Sequence, residues 1–366
     1  MKLAIVHDYL CGVGGSERIF QYLCEEFNDA DIYTLAYNED ATLPFFRNLK
    51  INTTWLNFFV RSMESFRWSF PIATHVMETI DFKSYDVVLS SSATVAKYIR
   101  APKGAHICYC YIPTRALWQK NNYFKSGIKS FLISFFLRFL KKRDLAASRR
   151  VDKFIAISKF TQSKISETYS KDSIVIPCPI DLDKFYSNPI RGDYFLLVSR
   201  LENWKCVDYA IEAFNILDLP LRIIGTGIEE ARLKSLAKSN IVFMGSVDDA
   251  ALSAEYSKAR AVIFTPFLEY GLVPLEANAS GAPVICFGKG GIEETMIPWA
   301  EGASNATAVF FFEQNSQSLI NAVRQFQGIT FNSERLVNHA SAWGIPEFKK
   351  RIRNTIDSFN SQRTQF

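Results

Sequence analysis

The sequence predicts an α/β protein built as two facing Rossmann-like domains, each a doubly wound parallel sheet, with a cleft between them. Three observations predict it. Short apolar runs of strand length alternate with stretches of helical spacing from one end of the chain to the other. The alternation restarts after Pro177-Cys178-Pro179 and the acidic pair Asp181 and Asp183, a stiff polar segment that suits a hinge. A chain of 366 residues is long enough for two domains that each bury a core.

The elements follow in order. Leu3–His7 is an apolar strand, and the glycine loop Gly12-Val13-Gly14-Gly15 comes after it. Ser16 is the expected N-cap of a helix that sets Ile19, Phe20, Leu23 and Phe27 on one face. Strands are predicted at 32–36, 87–90, 107–111, 154–157 and 174–176. Beyond the hinge, 195–199 is a strand and Val207–Leu217 a helix. Further strands are expected at 221–225, 241–244, 261–265 and 283–287. A last helix carries Phe348, Ile352, Ile356 and Phe359. The expected bounds are 1–185, 186–342 and 343–366, the last being a helix that packs back on the first domain.

Composition narrows the function. With 48% hydrophobic and 22% charged residues the chain reads as globular. Its net charge of +5 is concentrated, because 125–150 holds eight cations against Asp144 alone. The basicity thus belongs to one local face and gives no reason to expect nucleic acid. Within that stretch, 127–143 sets Phe131, Leu132, Phe135, Phe136, Phe139 and Leu140 along one stripe. Ser130, Ser134, Arg138 and Lys141 form the other line. An aromatic face beside a basic one suits an anionic membrane interface; a core helix with a solvated charged side has the same pattern. The seven cysteines are scattered with no C-x-x-C pair, which fits a reducing cytoplasm. His106, Cys108 and Cys110 alternate onto one strand face, but this is poor spacing for zinc and no metal is expected. No apolar run approaches the ~20 residues that span a bilayer, and Met1-Lys2 leads straight into a strand with no room for a signal peptide.

The stretch 263–294 says most about chemistry. Its strand stops at Pro266, a loop reaches Gly271, and a helix follows with Pro274 in the first turn, where a missing N–H costs little. Gly281 stands where a helix end wants a left-handed residue. A second strand leads into Gly288, Gly290 and Gly291. This order aims free backbone N–H groups and a helix dipole at one point suited to a phosphate. Glu276 faces the same mouth, placed for a sugar or ribose hydroxyl. An ordinary βαβ unit with a glutamate near its cap reads alike. Arg200 and Lys205, just past the strand at 195–199, are two cations suited to a leaving diphosphate; a solvated pair with Glu202 is the plainer alternative. The loop at 12–18 departs from the dinucleotide fingerprint, since Glu17 stands at its last glycine, but Gly14 and Gly15 still permit close backbone approach to a ligand.

Taken together, HDYLCGVGGSER (7–18), SSSATVAK (90–97), CYCYIPTRALW (108–118), FIAISKFT (154–161), VIPCPIDLDKF (175–185), SRLENWKCVDYAIEAFN (199–215) and IIGTGIEEARLK (223–234), with the 263–294 stretch, resemble the retaining glycosyltransferases of family 4. That family has the GT-B fold, and the narrower likeness is to bacterial mannosyltransferases of O-antigen, capsule or exopolysaccharide synthesis. The resemblance implies hexose transfer from a nucleotide sugar, GDP-mannose, to a lipid-linked oligosaccharide on the cytoplasmic membrane face, with 127–143 touching the bilayer. No metal or other cofactor is implied. Arg200 and Lys205 would hold the donor diphosphate and Glu276 the ribose. Gly271, Leu272 and Val273 would present amides, and Gly14 and Gly15 would lie near the donor phosphates or the acceptor. Four positions depart from the pattern. Ala93 and Tyr111 replace histidines, Gln119 replaces an aspartate, and Leu268 stands where the first of two spaced glutamates belongs, with Glu269 one step late. Arg200, Lys205, Glu269 and Tyr111 are the catalytic candidates. The alternative is a weak or inactive nucleotide-sugar-binding relative that partners a true transferase.

Overall fold

Every strand ladder described runs parallel, and the strand residues show why. Leu3–His7, Phe195–Val198, Ala261–Phe264 and Val284–Phe287 are almost wholly buried, as strands covered by helices on both faces must be. The computed structural model describes residues 1–118, 130–188 and 190–363. They divide into two units, Met1–Pro177 with Phe348–Phe366, and Cys178–Glu347.

The first unit holds strands β1 (Leu3–His7), β2 (Asp31–Thr34), β3 (Ile51–Thr53), β4 (Val87–Ser92), β5 (His106–Cys110), β6 (Lys153–Ala156) and β7 (Ser173–Val175), in the order β3-β2-β1-β4-β5-β6-β7. The second holds β8 (Phe195–Val198), β9 (Leu221–Ile224), β10 (Ile241–Gly245), β11 (Ala261–Phe264), β12 (Val284–Phe287) and β13 (Ala308–Phe311), in the order β10-β9-β8-β11-β12-β13. Both sheets have the doubly wound parallel architecture expected. In each, strand order reverses once, between β1 and β4 and between β8 and β11. Ligands of this architecture bind at such reversals, outside the strand C-termini.

Two strands add to those expected, the edge strands β3 and β13. The run at 32–36 shortens to β2, because Leu35 and Ala36 turn out of the ladder to bond residues that follow β1: Leu35 N–H donates to Asp8 O, and Leu10 N–H to Ala36 O. The final helix, Ile345–Arg363, joins the first unit through Lys349 to Glu25 (2.9 Å), Arg353 to Glu26, and Phe348 against Tyr109. No described helix is long and apolar enough to cross a membrane.

Candidate functional site

In the second unit, the backbone fixes the site before any side chain does. The loops after β8 and β9 touch. Leu201 N–H donates to Thr226 O (2.9 Å) and Glu229 N–H to Leu201 O (3.0 Å). Gly225 has φ +130°, and a Cβ there would lie 1.9 Å from Ser199 O, so only glycine lets the two loops pass. Past this crossing Asn203–Lys205 forms a single 3-10 turn that ends at Cys206 in left-handed geometry. Thr265, at the end of β11, donates its hydroxyl to Lys205 O (2.8 Å), and Gln314 Nε2 bonds Thr265 O (3.0 Å). The Lys205 turn is thus tied to the next strand across the reversal. Lys205 Nζ lies 4.2 Å from the Trp204 ring centre, and Arg200 pairs with Glu202 at 3.5 Å. The pairing with Glu202 foreseen as the plainer alternative is therefore present, with the Arg200 side chain nearly half exposed.

From the other side of the reversal comes the helix Leu272–Ala279. Gly271 is its N-cap, no side chain caps it, and Pro274 occupies its first turn. Its N-terminal amides and dipole are therefore left to water or to a ligand. Gly281 at φ +68° ends it as expected. Glu276, half-buried, accepts from the Tyr256 hydroxyl (2.9 Å), which fixes its carboxylate one turn below the tip. Ahead of the helix, Leu268 bridges to Gly290, and Gly291 N–H donates to Leu268 O (2.9 Å). A Cβ on Gly291 would lie 1.8 Å from Glu269 O. The close approach holds Leu268 against the apolar cluster below and leaves Glu269 as the buried carboxylate of the loop.

The first unit puts a different set at its reversal. Gly14 is the extended N-cap of the helix Gly15–Glu26. Ser16 is not the cap: it lies within the first turn and donates to Glu17 (3.0 Å), because the helix starts two residues earlier than that cap requires. Tyr111 is buried, and its hydroxyl bonds both Ser91 Oγ (2.9 Å) and Ser16 O (3.1 Å). Ser91 Oγ also meets His7 Nδ1 (3.1 Å), and His7 stacks on Phe20. Tyr111 thus stands at the end of a buried chain that reaches the glycine loop. Ala93 donates its N–H to Asp8 (2.7 Å). Gln119 and the opening of 127–143 lie outside the described residues, as do the side chains of Phe131, Leu132 and Phe135. In the rest of that segment, Phe136 and Phe139 are exposed and Leu140 is buried.

Two groups went unread in the sequence. Asp8 is buried, and its carboxylate takes the N–H groups of Ala93, Thr94, Val95 and Ala96 at 2.6–2.8 Å together with the Ser92 hydroxyl. Lys97 and Asp144 form a buried ion pair at 2.9 Å, and Asp144 also accepts from Tyr98, Thr114, Trp118 and Tyr169. Burial alone would raise the Asp144 carboxyl, but the Lys97 charge and these donors hold it below its ordinary value. His106 donates to or accepts from Ser90 (2.8 Å), and burial, followed by the Arg150 charge, lowers its pKa to about 3. Cys108 and Cys110 beside it are core residues, the packing reading of that strand face.

Known proteins are similar along nearly the whole chain. The family described as Glycosyltransferase Family 4 matches residues 13–184, and that described as Glycosyl transferases group 1 matches 183–340. Alpha-1,3/1,6-mannosyltransferase ALG2 of Kluyveromyces lactis is 23% identical, across 84% of this chain and 73% of its own. Sucrose-phosphate synthase from Thermosynechococcus elongatus shares the fold with a TM-score of 0.77 at 14% identity, across 99% of this chain and 100% of that one. Anabaena Alr3699/HepE, solved with UDP-glucose, does so with a TM-score of 0.68 at 16% identity, across 98% and 100%.

Proposed function

The chain belongs to the glycosyltransferases of family 4, and from that membership we propose that it moves mannose from GDP-mannose to a lipid-linked or polysaccharide acceptor, with retained anomeric configuration, in bacterial surface polysaccharide synthesis. The observation that supports the reading is the adjacency of β8 and β11, which sets the loop bearing Arg200 and the tied Lys205 turn beside the loop that leads to the uncapped helix at Gly271. Two cations and a helix tip give a diphosphate the positive field that it needs as negative charge grows on it. In the step proposed, the bond from the sugar C1 to the diphosphate oxygen breaks and a bond from the acceptor oxygen to C1 forms on the same face. The acceptor proton passes to the departing diphosphate. Lys205 and Arg200 stabilise that leaving group, and Gly271, Leu272 and Val273 donate amides to phosphate or sugar. Glu276 binds the ribose, and Glu269 takes the place of the first of the two spaced glutamates. Gly14, Gly15 and Tyr111 are the proposed first-unit contacts to acceptor or donor phosphate. No metal or other cofactor takes part in this reading. The protein is proposed to work at the cytoplasmic membrane face, held peripherally by 127–143.

The ALG2 name supports mannose. A UDP-glucose complex of a protein with the same fold makes the base the point to test. A ligand that binds only the folded state raises the melting temperature in proportion to the logarithm of its concentration over Kd. Among GDP, UDP, dTDP and their sugars, GDP and GDP-mannose are expected to give the largest rise. A rise with UDP-sugars alone would overturn the donor assignment. A second reading, nucleotide-sugar binding without turnover, is favoured by one observation: the Tyr111 hydroxyl is committed to Ser91 and Ser16, and Ala93 supplies no imidazole. Donor-dependent stabilisation with no release of GDP would select it.

A further inference from the structure

Besides 127–143, the first unit exposes a second run of aromatic side chains. Phe58 and Trp68 are 85% and 84% exposed, and Trp55, Phe59 and Ile72 are each more than half exposed. All five fall within eighteen residues of chain, on the turn Trp55–Phe58 with its C-cap Phe59 and on the helix Met63–Met77. A water-facing surface does not retain two tryptophans and two phenylalanines without a use for them. From 47 to 75 the charges are Arg47, which pairs with Asp40 (3.9 Å), and Lys50, Arg61 and Arg67 against Glu64.

The helix Ser130–Arg149 exposes two further phenylalanines, Phe136 and Phe139. That helix and Met63–Met77 both return the chain from the C-terminal to the N-terminal edge of one parallel sheet, so they run in the same direction. Both bury side chains in one core cluster, Phe66, Ala73 and Val76 from one and Ala147 from the other. Glu78 pins their ends together, pairing with Arg143 (3.3 Å) and Arg150 (3.0 Å). Along their own helices Trp68 lies about 15 Å before Glu78, and Phe136 and Phe139 about 10 and 6 Å before Arg143.

We propose that this surface, formed by Trp55, Phe58, Phe59, Trp68 and Ile72 together with Phe136 and Phe139, is a docking face that seats the first unit on an anionic bilayer interface. Tryptophan and phenylalanine with interspersed arginine are the chemistry of the headgroup layer, where the ring enters the acyl boundary and the guanidinium stays with the phosphates. The arginines interspersed among the exposed aromatics favour an anionic lipid surface as the occupant. The inference extends the proposed peripheral attachment and does not depend on the transfer reaction.

The test is sedimentation of the full chain with vesicles of phosphatidylcholine containing phosphatidylglycerol, and with phosphatidylcholine alone. Wild type is expected to bind the first and bind the second weakly. Phe58→Ala/Trp68→Ala is expected to lower partitioning about ten-fold or more, and Arg61→Glu/Arg67→Glu to abolish the preference for anionic vesicles. Because these side chains are exposed, melting temperature and its rise with donor nucleotide should match wild type, which keeps failure here separate from failure of the donor assignment. Binding by Phe58→Ala/Trp68→Ala equal to wild type would overturn the proposal. So would wild-type self-association that Trp68→Ala abolishes while vesicles recruit nothing, because the face would then be a contact between copies of this chain.

Discussion

At Asp8 one carboxylate takes five donors, four of them consecutive amides, and thereby shapes the turn that carries Ala93. Removing it leaves those buried N–H groups without an acceptor, and each such group costs about 1–3 kcal/mol. Asp8→Ala is therefore expected to lose at least about 3 kcal/mol in urea unfolding, whereas Asp8→Asn, which keeps one acceptor oxygen, should lose less. Equal stability of Asp8→Ala and wild type would show that the amides find other partners. The candidate residues of the second unit could be singled out in the sequence because they follow apolar strands: Arg200 and Lys205 after β8, Gly271 and Glu276 within a dozen residues after β11. Asp8 was not, since its partners are 84–88 residues away and nothing local announces them. Lys97 and Asp144 were hidden for the same reason. The choice between Leu268 and Glu269 needed the Gly290 and Gly291 turn, whose backbone decides which side chain is buried.

Among the elements, those buried on both faces were readable as apolar runs, and their observed ends differ from the expected ones by a residue or two. β3 was not readable, because an edge strand of three residues with sequence Ile-Asn-Thr has no continuous apolar face. β13 is apolar enough to have been read. The helix Met63–Met77 carries Pro71 inside it, a breaker signal that tertiary packing of Phe66, Ala73 and Val76 overrides. In β5 the packing has a consequence for pH. His106 is buried neutral with a pKa lowered to about 3, from an ordinary value near 6.5. The unfolded chain takes up that proton first, so the His106 contribution to stability is present above about pH 6.5 and declines as pH falls toward 3. Asp144, also lowered, contributes above the ordinary carboxylate range near 3.9 and is lost below it. The melting temperature is expected to drop between pH 6.5 and 4, and His106→Gln, which keeps a partner for Ser90, should flatten that drop. An unchanged pH profile in His106→Gln would mean that the histidine is not the group responsible.

For the whole molecule, the repeated βα order was enough to give two doubly wound sheets, and family membership gives the reaction class. Strand order was not legible, yet it is what sets the loop after β8 beside the loop after β11, where Thr265 bonds Lys205 O from 60 positions away. In the proposed reaction Arg200, Lys205 and the Gly271 helix tip hold the leaving diphosphate. Transfer of labelled mannose from GDP-mannose by Lys205→Ala tests it most directly, with the melting temperature as a control for folding. Lost charge contacts of this kind cost about 3–4 kcal/mol in the transition state, so a fall in kcat of roughly 10²–10³ is expected. Turnover within a few-fold of wild type, from a folded Lys205→Ala, would contradict it.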